Sequence, residues 1–307
     1  MIVQALIGKI LSLFFCIFIG FLLVRLRVLR REDSLVLSRL SLYLVNPCML
    51  LHAFQVDFTP QLRGGLLLAV LAAFLVETLY LLLSTLLRRP LRLDRVELVS
   101  VEYSNAGNLI IPLVTAMLGP SWVVYTSPYI AVQNLFLWSV GKATLCGERG
   151  VDLKKIVTNV NLIAILVGAI VCVTGFRFPA PIDDALGSIG AMIGPLAMLV
   201  IGMQIGGMDF KTFFSYRRSW LVALLRLLLF PAAALLLLKF TPLRTLCADG
   251  RQILLITLLA ACAPTAVNIT NLSQVFGQDA RYAGAINVTT TLLSALTMPL
   301  IILLYEL

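Results

Sequence analysis

Runs of about twenty apolar residues separated by short polar links fill nearly the whole chain of 307 residues. A helix needs roughly 20 mostly apolar residues to cross a bilayer. The pattern predicts ten spans, at 2–24, 35–55, 64–87, 97–118, 122–146, 157–175, 184–207, 219–240, 252–275 and 281–305. The links between them leave no room for a soluble domain.

Two of these spans carry polar interruptions at matching places in the two halves. Span four contains Ser104-Asn105-Ala106-Gly107-Asn108 ahead of Pro112, and span nine contains Pro264 followed by Thr265, Asn268, Thr270 and Asn271. In lipid an unpaired backbone amide costs several kcal/mol, so irregular backbone at mid-depth is tolerated only where protein or a wet cavity satisfies it. Paired interruptions in repeated halves mark a binding site in secondary transporters. Half-helix N-termini meeting there would offer positive dipole ends and free amides, a way to hold an anion without a buried Lys or Arg.

The division into repeats, 1–150 and 151–307, follows from the same pattern. Five spans per half force opposite orientations. Asn46-Pro47 in span two corresponds to Gly194-Pro195 in span seven, each followed by an Asp-Phe pair, Asp57-Phe58 and Asp209-Phe210. Pro47 and Pro195 are 148 positions apart, Pro112 and Pro264 152 apart.

Composition sharpens this picture. With 60% hydrophobic and 13% charged residues and a mean hydropathy of +0.99, the chain lacks the polar surface of a soluble globule. The net charge of +9 points to a topology and not to nucleic acid, because seventeen of the 24 Lys and Arg residues fall in or beside the odd-numbered links, against six on the other side. By the positive-inside rule those links are cytoplasmic and both termini face outward. The first apolar run has its basic cluster after it and is expected to remain as span one. The six cysteines have no metal-ligand spacing and are expected to pack as free thiols.

NAGNLIIPL at Asn105 to Leu113, GPLAMLVIGMQIG at Gly194 to Gly206 and APTAVNITNLSQVFG at Ala263 to Gly277 resemble the auxin efflux carrier family, which includes plant PIN-type carriers and bacterial malate-type permeases. The likeness covers essentially the whole chain and is greatest to the compact bacterial members, since the link between spans five and six is short. The resemblance implies an all-α fold similar to sodium/proton antiporters and bile-acid symporters, with helices 4 and 9 broken and crossing. It also implies an elevator mechanism: helices 1, 2, 6 and 7 form a scaffold that dimerises, and helices 3–5 and 8–10 form the transport domain. The implied substrate is a small organic anion, a dicarboxylate or an auxin-like monocarboxylate, and the implied location is the plasma or inner membrane.

The expected substrate-binding residues are Asn105, Asn108, Pro112, Pro264, Asn268, Asn271 and Gln204, the last because span seven faces the crossover in the resembled fold. Glu77, Glu102 and Thr270 are candidates to hold a coupling proton or sodium ion; no cofactor and no metal centre is expected. An acid at membrane depth is costly enough to be a functional candidate, although Glu102 lies close enough to the cytoplasmic end to be solvated there. Arg226, within two turns of that end, is expected to snorkel to the interface. Gln133 and Asn134 are open to pathway lining or interhelical bonding, and Gly190, Gly194, Gly202 and Gly206 predict close helix packing. His52 is the single histidine and reads as packing or interface solvation. The chain has no HExxH or GxSxG motif and no filter-like ring of charge, so a polytopic enzyme and an anion channel are the weaker alternatives to a carrier.

Overall fold

A computed structural model describes residues 15–147, 157–207 and 216–307. Among them every regular element is helical, and the one extended pairing is an isolated bridge between Ser104 and Thr265. In chain order the helices are α1 (Phe15–Arg25), α2 (Arg31–Ala53), α3 (Pro60–Arg88), α4 (Arg95–Glu102), α5 (Ala106–Met117), α6 (120–146), α7 (Val160–Thr174), α8 (Ala180–Ala191), α9 (Ile193–Gly206), α10 (Arg217–Phe240), α11 (Gly250–Ala261), α12 (Val267–Val275) and α13 (Ala280–Glu306). Of these, α2, α3, α10 and α13 are long and apolar enough to cross a membrane, and α1, α7 and α11 are shorter apolar helices. Residues 2–14 of the expected span one, part of the link from span five to span six, and the segment 208–215 with Asp209-Phe210 lie outside the described residues.

Spans four and nine are interrupted at their polar residues, and span seven, expected as one apolar run, is interrupted as well. In span seven the interruption is at Met192, whose amide bonds Ile189 O at 3.1 Å in a tightened turn. Pro195 three residues later has no amide for the Ala191 carbonyl, so the helix cannot run through undisturbed. Proline acts similarly in α2 and α10. Pro47 and Pro231 each follow a π-turn, Ser41–Val45 and Leu225–Leu229. The widened turn accommodates the carbonyl that the proline leaves without a donor.

The chain divides into two compact units. The first comprises 1–63, 107–127 and 157–208, so that it holds α1, α2, α7, α8, α9 and most of α5. Its packing relies on glycine. A Cβ added to Gly202 on α9 would run into the Ile17 carbonyl oxygen of α1, and one on Gly20 would run into the Leu199 carbonyl oxygen. Gly206 continues the contact against Phe21, and Gly190 presses on Met49; the small-residue spacing therefore serves helix packing, as expected. At one end of the unit His52 Nδ1 lies 2.7 Å from Asp183 Oδ1, and Gln55 Oε1 accepts a 3.0 Å bond from the Phe178 amide.

Because backbone atoms cannot swing aside, Gly202→Ala is expected to destabilise the protein by about 1–3 kcal/mol, the usual range for overpacking. Gly64→Ala on α3 meets open space and should instead gain about 0.5–1 kcal/mol from helix propensity. Melting of the two purified variants in detergent checks this contrast.

The second unit comprises 64–106, 128–156 and 209–307. Its centre is α11, buried at every position from Ile253 to Ala261, as expected for a helix apolar all round. Tyr80 of α3 packs edge-on against Phe230 of α10 at 5.1 Å. The outer side of α3 carries exposed Leu67, Phe74, Leu82 and Leu86, a stripe suited to lipid. At the entrance to α4 the Asp94 carboxylate accepts from the Glu97 amide at 2.8 Å while Glu97 accepts from the Asp94 amide at 2.9 Å, a reciprocal cap that sets where the helix begins. Burial pushes the Asp94 carboxyl above its ordinary pKa, against the pull of the Glu97 amide.

Candidate functional site

The two polar interruptions meet inside the second unit. After Glu102 the backbone extends at Tyr103, and Ser104 pairs antiparallel with Thr265. The Asn105 amide donates to Pro264 O at 2.8 Å, and the Ala266 amide donates to Tyr103 O at 3.0 Å. Each break thus satisfies part of the other's backbone, the condition for irregular chain at depth in an apolar protein.

Side chains from two further helices add to this accounting. Gln133 of α6 accepts from the Ser104 hydroxyl at 2.8 Å and donates to the Ser104 carbonyl at 2.6 Å. The Thr265 amide donates to Thr290 Oγ1 at 3.2 Å, and Asn287 Nδ2 donates to the Thr265 carbonyl at 2.7 Å, both partners standing on α13. The Thr265 hydroxyl donates to Ser100 O at 2.9 Å. Gln133 is therefore a bonding residue of the break, and Asn287 with Thr290 are polar residues of span ten that the sequence did not single out. Their i, i+3 spacing, which puts both on one helix face, was the available signal.

Arg226 does not snorkel. It is fully buried, with Nε donating to Ala263 O at 3.0 Å, one terminal nitrogen to Val101 O at 3.1 Å and the other to Ala261 O at 2.8 Å. Its guanidinium stands 5.4 Å from the centroid of the Tyr80 ring, whose hydroxyl also donates to Ala261 O. Carbonyls at the ends of two broken helices hold the side chain inside, although the cytoplasmic end is within two turns.

The two acids are buried as well. Glu77 is 2% exposed and Glu102 4% exposed, so Glu102 is not solvated. Ser84 donates to Glu102 Oε1, whereas Glu102 Oε2 is buried without a hydrogen-bond partner; the Tyr129 hydroxyl faces the Glu77 carboxyl. Glu77 shares its surroundings with Tyr129, Arg226 and Glu102.

The remaining expected residues scatter. Asn105 and Pro264 are buried in the break itself, and Asn268 is exposed on the first turn of α12. Thr270 is half-buried and packs beside Gly284 of α13. Gln204 belongs to α9 of the first unit and is half-buried there. The side chains of Asn108, Pro112 and Asn271 lie outside the described residues, but the backbone places Pro112 inside α5, seven residues beyond Asn105. Only Pro264 lies within a break. The bridge joins Ser104 to Thr265, a separation of 161 residues.

The chain matches the membrane transport protein family over residues 5–150 and 148–302. It belongs to that family, the auxin efflux carriers. It is accordingly an integral membrane protein, and the proteins of this family are transporters. No curated protein matches the chain significantly.

Proposed function

We propose that this auxin efflux carrier family member is a secondary carrier of a small organic anion, working by alternating access. The observation that carries the reading is the meeting of the two broken helices. It brings the carbonyl ends of α4 and α11 together and starts α12 directly beyond, so that an amide end follows the break. Such amide ends attract carboxylates, and the proposed substrates are dicarboxylates or auxin-like monocarboxylates.

Ten spans in a 5+5 inverted repeat complete the proposal, with both termini outside and an elevator movement of helices 3–5 and 8–10 against a dimerising scaffold of helices 1, 2, 6 and 7. The grouping of α1, α2, α7, α8 and α9 in one compact unit and of α3, α4 and α10–α13 in the other supports that division for those helices, whereas most of α5 and the start of α6, parts of helices 4 and 5, group with the first unit. Glu77 is the proposed proton carrier, on the strength of its burial beside Tyr129, Arg226 and Glu102.

Thermal-shift screening of purified protein against organic acids tests the reading. A true substrate at 100 times its Kd should stabilise by about 2.7 kcal/mol. In proteoliposomes that acid should show saturable counterflow, and Glu77→Gln should flatten the pH dependence of uptake while leaving binding in place. Flux that neither saturates nor shows counterflow would indicate a channel, and chemical change of the solute would indicate an enzyme.

A further inference from the structure

Val101 and Ala261 each lost the amide that would have closed their helical turn. The donor for Val101 O would be the Asn105 amide, which bonds Pro264 O. The donor for Ala261 O would be the Thr265 amide, which bonds Thr290. Pro264 contributes no amide at all. Arg226 supplies a donor at both sites and at Ala263 O, and the Tyr80 hydroxyl adds a second at Ala261 O.

The electrostatics match as well. Each helix C-terminus carries roughly half a negative elementary charge, so the ends of α4 and α11 together present about one, the charge of a single guanidinium. In carriers built from broken helices, such carbonyl ends are where a coupling cation sits. The π-turn at Leu225–Leu229 ahead of Pro231 lies at the position that aims Arg226 inward. The groups that face it are Glu77 and Tyr80 of α3, Tyr129 of α6 and Cys262 after α11.

We propose that Arg226 is a tethered cation that takes the place of a mobile coupling cation at the crossover, holding the carbonyl ends together and leaving the amide end of α12 for the anion. It is a positioning residue, and the inference rests on the reading of the crossover as an anion site. No alkali cation is then needed there.

The test uses full-length protein in detergent without any organic acid, so its outcome does not depend on whether the crossover carries one. Melting is compared in sodium, potassium and N-methylglucamine chloride at equal ionic strength. Wild type should melt at the same temperature in all three. Arg226→Ser should melt several degrees lower and recover, in a dose-dependent way, with millimolar guanidinium or with sodium, a response that loss of ordinary packing would not produce. Arg226→Lys keeps the charge and should remain near wild type and indifferent to the salt. A wild type stabilised specifically by sodium would overturn the proposal. So would an Arg226→Ser variant that no cation rescues, or an Arg226→Lys variant as unstable as Arg226→Ser. If Arg226→Ser cannot be purified, the Lys variant and the wild-type salt series decide alone.

Discussion

Asn268→Ala is expected to weaken binding of the organic acid found by thermal shift roughly tenfold to a hundredfold, with little change in the melting temperature of the unliganded protein. Asn268 stands on the first turn of α12, beside backbone amides that have no intrahelical acceptor. Asn268 is exposed, so its amide is open to a ligand drawn to that helix end. A hydrogen bond to a charged ligand contributes about 1.5–3 kcal/mol, and each 1.4 kcal/mol is about tenfold in Kd. Isothermal titration of wild type and variant measures the difference. Unchanged affinity would move the anion away from the α12 amide end. Gln133→Leu provides a contrast, because Gln133 bonds both the hydroxyl and the carbonyl of Ser104; its loss should lower affinity and melting temperature together.

Arg218→Ala is expected to cost on the order of 3 kcal/mol of stability, the lower end for a buried ion pair that loses one partner. The Glu97 side chain is 0% exposed and accepts from Arg218 Nε at 2.6 Å, from Arg218 Nη2 at 2.7 Å and from the Tyr282 hydroxyl at 2.6 Å. Arg218 Nη2 also donates to Leu91 O at 3.2 Å and Arg92 O at 3.0 Å. One guanidinium thus ties the start of α10 to the loop before α4, while Glu97 adds α13 through Tyr282. Without Arg218 the carboxylate keeps its desolvation but loses its charge partner. The lower end of the range applies because the Arg218 side chain is 48% exposed, so water enters the gap. Glu97→Gln in the Arg218→Ala background should restore part of the loss, since no uncompensated charge is left. A double-mutant cycle of melting free energies isolates that coupling, and strict additivity of the two changes would show that the pair contributes nothing.

Much of the fold could be read along the chain because lipid allows few solutions. A long apolar run must close its own backbone hydrogen bonds, so length and hydropathy alone predicted helices at α2, α3, α10 and α13. The same constraint made polar residues inside such runs informative: Ser104, Asn105 and Pro264 proved to be the break itself. Gly202 and Gly206 were legible as packing positions because small residues one turn apart leave room for a neighbouring backbone.

The chain alone did not determine which polar groups meet. Pro112 looked equivalent to Pro264 by spacing, yet it sits within α5 and not in the break. Arg226 looked like an interfacial arginine because its distance along the helix from the cytoplasmic end is short. Only the approach of α4 and α11, from segments about 150 residues apart, presents three carbonyls to its guanidinium. Hydrophobic periodicity is a property of each segment and can be read from it locally. The partner of a buried charge is set by how distant segments pack, and that was decided by the tertiary structure.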